Sequence, residues 1–173
     1  MRFFRIPVFA FLLMAFPFLV RAAEPFRLTS PDFAQNGLIP SRFTCKGQNI
    51  SPTLEIAGVP AGAQSLALIV DDHDAPSGTF THWLVWNIPP ETKKLPAGAH
   101  PGGALEGTND FGTAGYSGPC PPSGTHHYIF TLYALKSSPS LSAGASREAF
   151  DQAMSGHALA RTFLVGRYSK SGQ

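Results

Sequence analysis

Three stretches of the chain carry the dense apolar, β-branched and aromatic pattern of a buried strand: residues 65–71 (SLALIVD), 82–88 (HWLVWNI) and 128–135 (YIFTLYAL). Turn-forming residues bound each of them. Weaker strand signals lie at 26–30, 53–56 and 163–168. Helical spacing occurs near the C-terminus, where Ala149, Phe150, Ala153 and Met154 recur behind Ser146, a suitable N-cap. Gly156 can close that helix, or the helix can run on through Leu159; either way it feeds the last strand. The pattern predicts a mostly β domain, a sandwich-like sheet structure with little helix.

One apolar run fits neither pattern. Residues 6–20 are almost unbroken in apolar character, follow Arg2 and Arg5, and lead to the small residues of Val20-Arg21-Ala22-Ala23. The run is shorter than the ~20 residues a spanning helix needs. Residues 1–22 therefore read as a secretory signal and 23–173 as one domain. The expected location is periplasmic or secreted, with no transmembrane anchor once the signal is removed. Removal also changes the charge. The chain has 13 basic and 11 acidic side chains, and Arg2, Arg5 and Arg21 leave with the signal. The remaining formal charge is −1, which offers no footprint for nucleic acid. Export permits a disulfide between Cys45 and Cys120; two buried free thiols are the alternative. Asn49-Ile50-Ser51 matches a glycosylation sequon, a match that arises often by chance.

Residues 104–125 (ALEGTNDFGTAGYSGPCPPSGT) hold five glycines and three prolines. So long a loop in a compact domain is usually functional or disordered. Phe111, Tyr116 and the Cys-Pro-Pro turn argue for order, and the loop reads as part of a site. Strand alternation then sorts the polar residues. His126 and Tyr128 share a face and His127 opposes them. His82 falls with Leu84 and Trp86. Asp72 and Asp74 share a face if that segment is extended, and His73 opposes them. Asp72, His82, His126 and Tyr128 can thus converge at one sheet end. Each also has a purely structural reading: the Asp72 segment as a strand exit, with Asp71 no more than a strand end, the histidines as satisfied polar groups, and Tyr128 as core.

Rival chemistries fare unevenly. Asp72, His82 and His126 can supply three zinc ligands, but no close paired-ligand spacing appears. The G-x-S-x-G turn of a serine hydrolase is absent, and nothing marks Ser117 or Ser123 as activated. The glycine-rich loop lacks the P-loop lysine pattern. Its backbone N–H groups can still form an anion-binding nest. With two histidines and a tyrosine hydroxyl as donors, a small anion is the natural occupant.

The blocks DHDAP at 72–76, HWLVWNIP at 82–89, GTNDFGTAGYSGPCPPSGTHHY at 107–128 and FTLYAL at 130–135 resemble the phosphatidylethanolamine-binding proteins, in their bacterial, Raf kinase inhibitor-like branch. The likeness extends over nearly all of residues 23–173. It implies a β-sandwich with a few peripheral helices and, at one end, a pocket for phosphate-like anions and phospholipid headgroups. By motif, that pocket involves Asp72, His82, His126 and Tyr128, with Pro122, Asp74 and Gly118 lining it. The resemblance also makes Ala75–Pro76 a candidate cis peptide and implies a possible homodimer. Two departures stand out. His73 replaces the first proline of the usual D-P-D-A-P, and His127 replaces the arginine of H-R-Y. The second loses a fixed positive charge and leaves a pH-dependent one.

Three functions follow as expectations. The first is an exported binding module for a small anion or headgroup, needing no cofactor and no catalysis. The second is an inhibitor or modulator of a partner protein such as a protease, kinase or host factor. The third is a hydrolase using the His/Asp pocket for acid–base chemistry.

Overall fold

The computed structural model describes residues 24–99 and 102–171; the expected signal segment lies outside them. In chain order the elements are β1 (Arg27–Thr29), β2 (Gly37–Leu38), a 3-10 turn (Ser41–Phe43), β3 (Leu54–Ala57), β4 (Ser65–Asp72), β5 (Phe80–Ile88), β6 (Lys94–Leu95), β7 (Leu105–Glu106), β8 (Thr125–Leu135), α1 (Arg147–Met154) and β9 (Ala158–Ser169). Six strands form one sheet in the order β2-β9-β8-β4-β5-β7, and β1, β3 and β6 form the other. Neighbours are antiparallel except the β2–β9 pair.

Alternation places the core. Leu66, Leu68 and Val70 of β4 and Tyr128, Phe130 and Leu132 of β8 pack with Leu54 and Ile56 of the small sheet. The opposite face of β4 and β5 presents Ala67, Ile69, Leu84 and Trp86 to Phe150 and Met154 of α1. Each large apolar side chain so buried contributes about 1.5–3 kcal/mol. The sandwich is therefore held by burial, and the polar contacts decide local geometry. Helix α1 forms as its sequence predicts. Ser146 Oγ accepts the N–H of Ala149 at 3.2 Å, and Glu148 sits in the first turn, near the positive end of the dipole. Gly156, at φ +72°, follows the last turn, and Leu159 belongs to β9 rather than to the helix.

Strand β9 begins five residues before the predicted signal at 163. Its first residues, Ala158 to Thr162, show no apolar alternation; pairing with β8 from Leu135 onward makes them a strand. The short strands β2, β6 and β7 have two residues each and exist only through their partners. Gly166 has a specific packing role. A Cβ there would stand 2.5 Å from Ile39 Cγ1 and 2.9 Å from Phe33 Cε2, so glycine lets the 33–39 segment lie directly on β9.

The β4–β5 ladder contains a bulge at its functional end. Val70 pairs with Trp83 but Asp71 pairs with Thr81, so His82 is the extra residue. Among the described residues no peptide bond is cis, which corrects the expectation for Ala75–Pro76. The reversal there is made with trans peptides. Asp72 Oδ1 accepts the N–H of Asp74 at 2.9 Å, and Ala75 O accepts the N–H of Gly78 at 3.0 Å.

Candidate functional site

The ends of β4, β5 and β8 meet beside the glycine-rich loop. The bulge decides where His82 goes. A bulge leaves one residue unpaired and re-aims its side chain. The imidazole therefore leaves the face of Leu84 and Trp86, to which simple alternation assigned it, and stands edge-on to Tyr128 at 5.2 Å between centroids. Phe80 and Phe111 flank it at 5.3 and 5.4 Å, and contact each other at 4.8 Å. These rings border a cavity of about 280 Å³ lined by Asp72, Pro76, Phe80, His82, Phe111 and Pro122 among others. Its wall is mostly apolar, with one carboxylate and one imidazole.

Behind that lining stands His126, on the inward face of β8. Its Nδ1–H donates to Asp72 Oδ2 at 2.7 Å, with both side chains buried. Asp72 thus orients His126, not His82. The Nδ1–H of His82 donates instead to the Ser117 carbonyl at 2.6 Å, which leaves Nε2 with a lone pair in the neutral ring. Burial holds the His82 pKa below the usual imidazole value, against the opposing pull of the Ser117 carbonyl, Asp72, Asp71 and Asp110. The Tyr128 hydroxyl lies alongside the Cys120 backbone but has no hydrogen-bond partner of good geometry. Burial, with Asp72 nearby, raises its pKa and keeps it an O–H donor.

The loop does not offer the free amide nest that its composition suggests. The N–H of Ser117 donates to His82 O, that of Gly115 to Gly107 O, and that of Gly118 to Asn49 Oδ1. Gly118 does not line the cavity. A Cβ on it would stand 2.3 Å from Phe43 O, so its role is close packing. The hub of the loop is Asn109, a residue that motif reasoning overlooked. Its buried amide donates to Gly115 O and Ser117 Oγ, and its Oδ1 accepts from the N–H groups of Phe111 and Thr113. Asn109 therefore holds both Phe111, a cavity wall, and Ser117, the acceptor that orients His82. Cys45 and Cys120 are joined by a disulfide with a Cα–Cα distance of 5.5 Å, which ties the loop to the segment after the 3-10 turn.

Asp74 and His127 pair outside the cavity. The Asp74 carboxylate accepts both the backbone N–H and the Nδ1–H of His127, at 2.8 and 2.7 Å, and these bonds lower its pKa. The contact clips the 73–79 loop to β8. Asp71 is more than a strand end. It is buried on the opposite face of β4, where it accepts from Arg147 at 2.6 Å and Thr81 at 2.9 Å. No group of three or more His, Cys, Asp or Glu side chains among the described residues is arranged to hold a metal ion. Nor is any described helix long and apolar enough to cross a membrane.

Comparison with known proteins agrees with this architecture. The family model of the phosphatidylethanolamine-binding proteins matches residues 29–169, and the chain belongs to that family. Relatives include a UPF0098 protein of Methanothermobacter thermautotrophicus, 52% identical over 143 residues, covering 80% of this chain and 95% of that one. LppC of Mycobacterium tuberculosis, named as a candidate lipoprotein, is 44% identical, covering 85% of this chain and 74% of its own. Among solved structures, CT736 of Chlamydia trachomatis, described as a homologue of this family, superposes with a TM-score of 0.80 at 40% identity, covering 84% of this chain and 97% of its own. YbcL of E. coli, described as a member of the mammalian family, gives 0.78 at 33% identity, covering 83% of this chain and 98% of its own.

Proposed function

We propose that this chain is an exported binding protein whose pocket at the β4–β5–β8 end holds a small phosphoryl-type anion, free or within a headgroup. The observation that supports it most is the grouping of Asp72 and His82 in the wall of one cavity, with His126 bonded to Asp72 behind it and Tyr128 packed edge-on against His82. The reading assigns no reaction to the pocket. In the loop, Ser117 Oγ is engaged by the Asn109 amide and lies near Thr113 Oγ1, rather than by an imidazole. Export is supported by the arginine-flanked apolar run within residues 1–22 and by the lipoprotein designation of one relative.

Calorimetric titration with inorganic phosphate tests the binding reading. Anion binding next to Asp72 favours proton uptake, so affinity should weaken as pH rises from about 5 to about 8. His126→Ala should weaken binding on the order of tenfold, because it leaves the Asp72 carboxylate without its partner. A flat pH profile together with unchanged affinity in His126→Ala would remove the pocket from consideration.

A further inference from the structure

Strand β9 pairs with β8 along nearly its whole length but with β2 only at Gly166 and Arg167. Along a strand, the N–H and C=O of successive residues point to opposite edges. At the edge away from β8, Val165 O accepts the N–H of Asn36 at 2.8 Å, and the Val165 N–H donates to Gln35 Oε1 at 3.0 Å. Arg167 O accepts the N–H of Ile39 at 2.8 Å on the same edge. Period two assigns to that edge the N–H and C=O of Phe163 and Arg161 as well. No described strand pairs with them there. The open stretch ends at Leu159, where the ladder with β8 shifts register. Open edges are commonly blunted or covered, but this one carries Phe163, 58% exposed. Phe163 borders a cavity of about 350 Å³ between β9 and the segment from β1 to Gln35, with Leu28, Phe33 and Leu164 in its wall. The face is also cationic. Strands β8 and β9 contain no acid. Arg161 shares its face with Phe163 and has no hydrogen bond or ion pair among the described residues. Arg147, which lines the same groove, is taken by Asp71 and Asp151.

We propose that this edge docks an extended segment of another protein as an added strand, one that sets an acidic side chain opposite Arg161 and an apolar one opposite Phe163. In strand addition the main-chain bonds give affinity and alternate side chains give specificity. Pairing with Arg161 and Phe163 satisfies both of their open N–H and C=O groups and needs a strand of about five residues, an ordinary length. One row of its side chains enters the cavity beside β1, and the other lies along the outer face with Arg161 and Phe163. An aspartate or glutamate in that outer row meets the unpaired guanidinium across the strand, and a lysine is repelled by it. Two copies of this chain fit less well, because self-pairing sets their Arg161 side chains opposite or diagonal to each other, a like-charge contact. The cavity beside β1 shares no lining residue with the one that Asp72 and His82 border, so the docking edge is independent of the anion reading.

The probe is a capped peptide of about seven residues, alternating threonine and valine with glutamate at its centre. It is titrated into the full mature chain at low salt and followed by amide NMR. Binding should shift the amide resonances of Arg161 and Phe163. Lysine at the peptide's centre should weaken binding by at least about threefold. N-methylation of the glutamate and valine amides, which face the edge, should abolish it. Arg161→Glu should invert the order, so that the lysine peptide binds more tightly; a merely structural role for Arg161 would not invert it. Phe163→Pro removes an edge N–H without touching the ladder to β8 and should weaken both peptides. No binding of the glutamate peptide at about 1 mM overturns the proposal. Equal binding of the glutamate and lysine peptides overturns the acidic class, and undiminished binding of the N-methylated peptide overturns strand addition. A dimer in sedimentation that Phe163→Pro dissolves makes a second copy the occupant and overturns the assignment to another protein. If a variant does not fold, the three peptides on the unaltered chain still decide.

Discussion

Asp71 and Asp72 are neighbours on one strand, both buried, and they face opposite sides of the sheet. Asp71 meets a fixed cation. Arg147 donates to it through Nη1 and to Asp151 through Nε at 3.0 and 2.9 Å, and Thr81 completes the cluster. Asp72 meets a histidine and an open cavity. A guanidinium stays charged at any pH the fold survives, so the first cluster is a clamp joining α1 to the strand ends. The second pair borders a cavity, so it can answer to a ligand. The identity of the partner, not of the acid, separates structure from candidate function.

Four experiments strain that contrast, in decreasing order of effect. Replacing Cys45 and Cys120 together with serine removes a cross-link spanning 75 residues of sequence. Loop entropy puts the loss near ~4 kcal/mol. Because Cys120 lines the cavity, phosphate affinity should fall as well; urea denaturation and calorimetry read the two quantities. Arg147→Met strands the buried Asp71 carboxylate and should cost about 2–4 kcal/mol, with phosphate affinity unchanged within about twofold. A parallel loss of affinity would show that the clamp and the pocket are one unit. Asp72→Asn should do the reverse. Phosphate binding should weaken by roughly tenfold, about 1.4 kcal/mol, with a smaller stability change because the amide is nearly isosteric.

The smallest effect concerns acid stability, where Asp71 and Asp74 contribute with opposite sign. The pKa of Asp71 is raised, chiefly by burial and against the pull of Arg147. Its contribution is thus full below the ordinary carboxylate value of 3.8 and lost as pH rises through the raised one. Asp74 is lowered by the His127 bonds, so its contribution is present above 3.8 and lost as pH falls through the lowered value. Asp74→Asn should flatten the acid-side decline by a few tenths of a kcal/mol, the scale of an exposed pair. Urea midpoints from about pH 3 to pH 7 measure it. A steeper decline in the variant would mean that Asp74 contributes with the opposite sign.

Period-two patterning made the central strands and the inward face of β8 legible, because both are consequences of local geometry. His126 inward and His127 outward follow from alternation alone. Capping chemistry likewise placed α1. The position of His82 was not legible, because a bulge depends on the register of two strands and breaks the alternation that sequence reasoning uses. Short partners such as β7 carry too few residues to leave a periodic signal. Asn109 and Asp71 were missed for a related reason. The first gathers a loop through several weak contacts, and the second owes its meaning to Arg147, 76 residues away.

The sequence by itself determined the β-rich core, the helix start, the export-type leader pattern and the residue types available at the strand ends. Those depend on residue character and spacing along one chain. Only the tertiary structure decided which aspartate has a fixed cation and which a histidine. It also decided that the amides of Gly115, Ser117 and Gly118 are already spent and that His82 turns toward Tyr128. Those are facts about partners distant in sequence, and a buried polar group takes its role from the partner that desolvation forces upon it.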